Sequence, residues 1–163
     1  MKSAAVVDVD PSVQVRSATE ADVPAVIELD EEVTGLAKPD YWRDLFERYG
    51  ARRRDQRFFL IAERGRRIEG FVIGEVRAWE FGSPPCGWIF AIQVRPGARL
   101  KGAGTQLFDA ICDCFRRVGV AHIRTMLARD NTLILSFFRS QGMMAGPFIQ
   151  LEMPLKWLNR KDP

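Results

Sequence analysis

Apolar and polar residues first alternate at Val13-Gln14-Val15-Arg16, a period of two that predicts a short strand with one face on a core. The period then lengthens. Thr19-Glu20-Ala21-Asp22 has the form of a helix cap with an acid at the third helical position, and Val23, Val26, Ile27 and Val33 recur at helical spacing behind it. Pro39 suits the first position of a second, short helix, whose apolar side is Tyr41-Trp42 and Leu45-Phe46 and which Gly50 ends. The run Arg52-Arg53-Arg54-Asp55 predicts a solvated link.

Residues 58–62 and 68–76 are β-rich runs joined through Gly65-Arg66-Arg67, which predicts a hairpin. After the turn forced by Ser83-Pro84-Pro85, residues 88–94 are nearly all apolar, as in a central strand covered on both faces. Leu107, Phe108, Ile111, Cys112 and Phe115 give a helix over 105–118, closed by Gly119. A strand over 121–127, a helix over 132–140 stopped by Gly142, and a last strand over 148–153 complete the chain. The order β-α-α-β-β-β-α-β-α-β predicts an α/β fold, a mixed sheet with helices packed on it. The expected layout is a mobile lead-in over 1–12, one domain over 13–155 and a tail over 156–163, without repeats.

Composition narrows the function classes. With 163 residues, 47% of them apolar, a single core needs neither disulfides nor metal. Cys86, Cys112 and Cys114 lack the spacing of a disulfide framework or zinc site, and predict buried reduced thiols. The single histidine, His122, excludes a three-histidine metal centre, and no metal is expected. No signal-like or membrane-spanning apolar run occurs, so a cytoplasmic protein without membrane contact is expected. A net charge of +3 gives no case for nucleic acid, although nine acids in the first forty residues face nine arginines over 43–67. The tryptophans and phenylalanines suit core packing better than base stacking.

Chemistry concentrates where the apolar strand runs through a turn into a helix, Val94-Arg95-Pro96-Gly97-Ala98-Arg99-Leu100-Lys101-Gly102-Ala103-Gly104-Thr105. Gly102 and Gly104 let backbone N–H groups approach an anion, and the helix start adds unpaired donors and the positive end of its dipole. Arg95, Arg99 and Lys101 supply cations for phosphates. A tight turn alone would use the same glycines. No Gly-Lys-Ser/Thr follows, which excludes a Walker loop, and the spacing is not the dinucleotide fingerprint.

Arg99-Leu100-Lys101-Gly102-Ala103-Gly104 resembles the Arg/Gln-x-x-Gly-x-Gly/Ala signature of the Gcn5-related N-acetyltransferase superfamily. Asn131, Phe137-Phe138 and Gly142-Met143 are similar to its Asn-x5-Leu-Tyr-x3-Gly-Phe helix, and the element order agrees from Val13 to Met153. The resemblance implies acetyl-coenzyme A as co-substrate. Gly102, Ala103, Gly104 and Thr105, with Arg99, Leu100 and Lys101, would hold the pyrophosphate. Ile92, Gln93 and Val94 would pair with pantetheine as a strand does, a strand amide near Ile92 would polarise the thioester carbonyl, and Asn131 and Phe138 would line the same site.

The family's usual acid, a Tyr, falls on Phe138, and two positions where relatives carry a catalytic Glu fall on Trp88 and Met126. A thiol that ionises at about pH 8.5 can leave without a dedicated acid, and a carboxylate can serve as base through water. Glu75, in the apolar hairpin strand, is the preferred base. Among Glu28, Asp30, Glu31 and Glu32, the candidates for drawing in and deprotonating an amine are Asp30 and Glu31. The short segment after Gly142 implies an open acceptor cleft, hence a protein lysine or N-terminal amine. A non-catalytic acyl-coenzyme A sensor or protein-interaction domain remains the alternative, and a homodimer is left open.

Overall fold

The structure, a computed structural model, describes residues 12–52, 56–99 and 102–155. The expected lead-in, apart from Ser12, and the expected tail over 156–163 lie outside them, as do Leu100 and Lys101. The described residues fall in two compact units divided between Ala128 and Arg129, a division marked by no linker composition.

In the first unit, β1 (Val13–Ser17), β2 (Arg57–Arg64), β3 (Arg67–Arg77), β4 (Cys86–Val94) and β5 (Ile123–Thr125) form one sheet in chain order. The first four strands are antiparallel and β5 joins β4 in parallel. Between β1 and β2 run α1 (Val23–Thr34) and α2 (Pro39–Phe46). A 3-10 turn, Glu20–Asp22, leads into α1, and Asp22 accepts from both the Thr19 N–H (2.7 Å) and the Thr19 hydroxyl (2.8 Å), the cap expected from the sequence. Gly50 does not end α2. The helix continues as a single π turn, Glu47–Ala51, and a Cβ at Gly50 would lie 2.3 Å from the Phe46 ring, so a side chain there would displace that ring.

The two faces of the sheet are covered differently. Phe59, Ile61, Phe71 and Ile73 meet Val26 and Leu29 of α1 and Trp42 and Leu45 of α2. The opposite face carries α3 (Ala103–Arg117), a 15-residue helix that comes so close that glycine is required beneath it: a Cβ at Gly87 would stand 2.5 Å from Phe115, and one at Gly74 2.9 Å from Ile111. Burial of these apolar side chains is the main favourable term in folding. Cys86, Cys112 and Cys114 are buried and form no disulfide.

Three expectations are corrected. The strand expected over 121–127 is only Ile123–Thr125, because pairing with β4 extends only over Gly87, Trp88 and Ile89. The strand expected over 148–153 does not form: Ile149, Leu151 and Met153 alternate as an edge strand would, but no strand pairs with them among the described residues and they are exposed. β4 is not covered on both faces throughout, since residues 90–94 are only half-buried. In the second unit the one described helix is α4 (Thr132–Ser140).

Candidate functional site

Beyond Ile89, β4 and β5 part. Thr125 Oγ1 donates to the Ile89 carbonyl at 2.7 Å and closes the last rung. Residues 91–94 stay paired to β3 on one side, Phe71 opposite Gln93 and Val72 opposite Ile92, and residues 90–94 have no strand partner on the other among the described residues. Backbone groups left unpaired in this way are obligatory hydrogen-bonding groups, and they suit an extended ligand carrying amides.

The open edge leads directly to a helix start. After β4 the chain makes a 3-10 turn, Pro96–Ala98, and α3 begins behind Gly102. Gly102 has φ +88°, the left-handed region that glycine alone enters freely, and nothing lies within 4 Å of where its Cβ would be. Gly102 makes no side-chain cap and the first turn of the helix has no acid, so Ala103 and Gly104 lie at the positive end of the α3 dipole, with Thr105 in the same turn. Val94 and Leu107 both lie 3.1 Å from one point, the would-be Cβ of Gly70, which puts the start of α3 over the end of β4. Ile92, Gln93, Val94, Gly102, Ala103, Gly104 and Thr105 are therefore brought together, with Arg99 exposed beside them.

Arg95 does not join them. Its side chain is buried against the sheet, donates from Nε to the Ile68 carbonyl at 3.0 Å, and pairs with Glu32 and, at 3.6 Å, with Glu28 of α1. An arginine with its donors so occupied ties β4 to α1 and is unavailable for a phosphate.

Asp30 differs from the acids around it. Its neighbours Glu28, Glu31 and Glu32 are exposed, whereas Asp30 is 0% exposed. It accepts from Trp42 Nε1 at 2.8 Å and Gln93 Nε2 at 3.0 Å and pairs with Lys38 Nζ at 2.9 Å. Burial alone would raise its carboxyl; Lys38, Trp42 and Gln93 outweigh that and hold it below the ordinary aspartate value. An ionised Asp30 only accepts, so Gln93 must turn Nε2 toward it, which leaves the buried Gln93 Oε1 without a donor among the described residues.

Glu75 lies opposite Trp88 in the β3–β4 ladder. Tyr49 of the π turn donates its hydroxyl to Glu75 Oε2 at 3.0 Å, Arg77 Nε reaches Oε1 at 3.2 Å, and Arg57 Nε stands 3.8 Å from Oε2. Arg57 lies over the Tyr49 ring at 5.0 Å and Arg77 over Trp88 at 4.5 Å. Tyr49 itself meets Phe90 edge-on at 5.1 Å. Sequence reasoning omits Tyr49, although Trp42, Leu45, Phe46 and Tyr49 form one helical stripe that ends just before Gly50.

Within the second unit, Asn131 is the N-cap of α4, its Oδ1 accepting from the Ile134 N–H at 3.2 Å. Phe138 is buried and packs against Phe137, ring centroids 5.3 Å apart. Among the described residues no group of three His, Cys, Asp or Glu is placed to hold a metal, and no helix is long and apolar enough to cross a membrane.

Comparison with known proteins agrees with this geometry. A segment of the chain is 30% identical over 87 residues to an L-2,4-diaminobutyric acid acetyltransferase of Nocardia farcinica, covering 53% of this chain and 44% of that one, so the chain spans less than half the length of this relative. The fold matches the aminoglycoside N-acetyltransferase AAC(6')-Iy in complex with coenzyme A, with a TM-score of 0.79 and 17% identity, over 91% of this chain and 99% of that one. It also matches an aminoglycoside acetyltransferase from an uncultured soil metagenomic sample, in complex with trehalose, with a TM-score of 0.70 and 18% identity over 87% and 95% of the two chains. Residues 23–143, most of the chain, fit the family model described as the acetyltransferase (GNAT) family. The chain belongs to the GNAT acetyltransferase family.

Proposed function

We propose that this protein is an N-acetyltransferase that moves an acetyl group from acetyl-coenzyme A directly onto a primary amine held in the same complex. The observation that carries this reading is the open edge of β4 over residues 90–94 running into the uncapped start of α3. Pantetheine amides would complete the strand beside Ile92, Gln93 and Val94, and the pyrophosphate would lie on the N–H groups of Gly102, Ala103, Gly104 and Thr105, with Arg99 as its cation. Leu100 and Lys101 would belong to the same loop. Asn131 and Phe138 are assigned to this site by their match to the family helix alone. The co-substrate supplies an activated acyl thioester; the chain supplies alignment, a base and exclusion of water.

Glu75 is the proposed base. Glu31 remains a candidate for drawing in a cationic amine from the exposed side of α1. Asp30 serves that role poorly, because its oxygens are occupied by Trp42, Lys38 and Gln93.

The names of the relatives put small amines first as acceptors: diaminobutyric acid for one, aminoglycosides for others. The second reading is a protein lysine or N-terminus, favoured by the absence of a described strand after α4. Thiol release from acetyl-coenzyme A, measured with 2,4-diaminobutyrate, an aminoglycoside and a lysine peptide, separates these classes. Binding of acetyl-coenzyme A without thiol release in any of them replaces the enzyme by an acyl-coenzyme A sensor.

Thr105→Glu tests the anion site. An acid in the first turn of a helix is favourable by itself, so the melting temperature without ligand holds or rises by about 1–3 °C. Against a pyrophosphate the same charge repels, and coenzyme A affinity in calorimetry falls by roughly tenfold or more. Unchanged affinity would remove α3 from the binding site.

A further inference from the structure

Phe90 lies in the irregularity of the β3–β4 ladder, one residue beyond the last β4–β5 pair, and so marks the point where those strands part. On the α2 side of the sheet it stands with two further half-buried rings, Tyr49 and Trp88, and the carboxylate of Glu75. Arg57 already covers the Tyr49 ring and Arg77 the Trp88 ring, so what the head of the open strand edge offers a cationic nitrogen is the Phe90 ring, the Tyr49 hydroxyl oxygen and the Glu75 carboxylate. The carboxylate is already fixed in direction, Oε1 by Arg77 and Oε2 by the Tyr49 hydroxyl. Tyr49 comes from the π turn, a widened turn of the kind often found at functional sites. The charged groups facing the pair are Arg48 of the same turn, Arg57 of β2, and Arg77 with its 4.0 Å neighbour Glu80.

We propose that Tyr49 and Glu75 receive the ammonium of the acceptor, Tyr49 relaying its proton to Glu75. The ammonium gives a proton to the phenol oxygen while the phenol O–H passes its own to Glu75 Oε2. The amine lone pair then forms the C–N bond with the thioester carbonyl carbon. The C–S bond breaks and its electron pair leaves on the sulfur of coenzyme A, which takes the second amine proton; Glu75 returns the first to solvent. Burial, reinforced by the Glu75 carboxylate, pushes the Tyr49 phenol up, so the relay starts from a neutral tyrosine. This inference rests on the transferase reading above, and it names a group that takes part where the family's usual tyrosine position holds Phe138.

Tyr49→Phe keeps the ring against Phe90 and removes only the hydroxyl. With the best amine of the thiol-release panel, kcat/KM falls by about a hundredfold, while the Kd for coenzyme A and the melting temperature stay at wild-type values. Glu75→Gln loses a similar factor, and the double variant loses no more than the larger single loss. The relay also sets a limb of the kcat/KM–pH profile, and Tyr49→Phe removes that limb; a structural role would leave it in place. Binding is read separately: the chain has two tyrosines, so 13Cζ-tyrosine labelling gives two resonances and Tyr49→Phe assigns them. Titration with n-butylamine hydrochloride moves the Tyr49 resonance saturably, and Glu75→Gln abolishes the shift. Wild-type kcat/KM and pH profile in Tyr49→Phe, or a Tyr49 resonance indifferent to n-butylamine, would overturn the proposal. A saturable shift without thiol release for any amine supports the ammonium site and overturns the transferase reading together with the relay.

Discussion

Asp30 sits in a run of acids that the sequence presents as one solvated face, yet it is buried and its three partners come from the loop before α2, from α2 and from β4. A buried carboxylate so surrounded stabilises only while every partner is present. Asp30→Asn leaves Lys38 without its counter-ion and obliges Gln93 to flip, and is expected to cost about 2–3 kcal/mol in urea unfolding. Glu31→Gln, on an exposed part of the same helix, should stay within about 0.5 kcal/mol. Equal effects at the two positions would show that Asp30 contributes no more than a surface charge.

Contact between α3 and the sheet depends on missing side chains. Gly87 on β4 faces the Phe115 ring with no space for a Cβ, so Gly87→Ala must push the helix away or turn the ring. Overpacking of this kind is expected to cost about 1–3 kcal/mol. Phe115→Ala vacates the same volume, so the double variant should cost clearly less than the sum of the singles in a denaturation cycle; strict additivity would mean that the two groups do not compete for space. β5 shows the reverse dependence. It pairs with only three residues of β4, and that brevity leaves residues 90–94 without a strand on that side among the described residues.

Across the whole molecule, element type and order were legible from Val13 to Ser140, because apolar periodicity reports which side of a segment meets a core. The glycine-bearing turn into α3 was legible as well. What periodicity could not reveal depends on distant partners: Asp30 is buried because Lys38, Trp42 and Gln93 converge on it, Arg95 turns to α1 because Glu28 and Glu32 meet it there, and residues 148–153 form no strand despite their alternation. Acid stability is expected to follow the same long-range pairs. Burial would raise the Asp22 carboxyl, but Arg16 and Thr19 hold it below the ordinary value, as Asp30 is held by its own partners. Both contribute stability in full above the unfolded aspartate value of 3.8 and lose it as pH falls through their lower folded values. Urea midpoints should therefore drop below about pH 4, and drop less in Asp30→Asn; identical slopes would refute the linkage.

The parting of β4 from β5 has a colloidal consequence. A strand edge with free N–H and C=O groups is a template on which a strand of another molecule can grow. A ligand that hydrogen-bonds along residues 90–94 would close that template as well as take part in chemistry. Concentrated ligand-free protein should scatter more light over storage than protein kept with coenzyme A, so occupancy of the co-substrate site would govern shelf life as much as turnover.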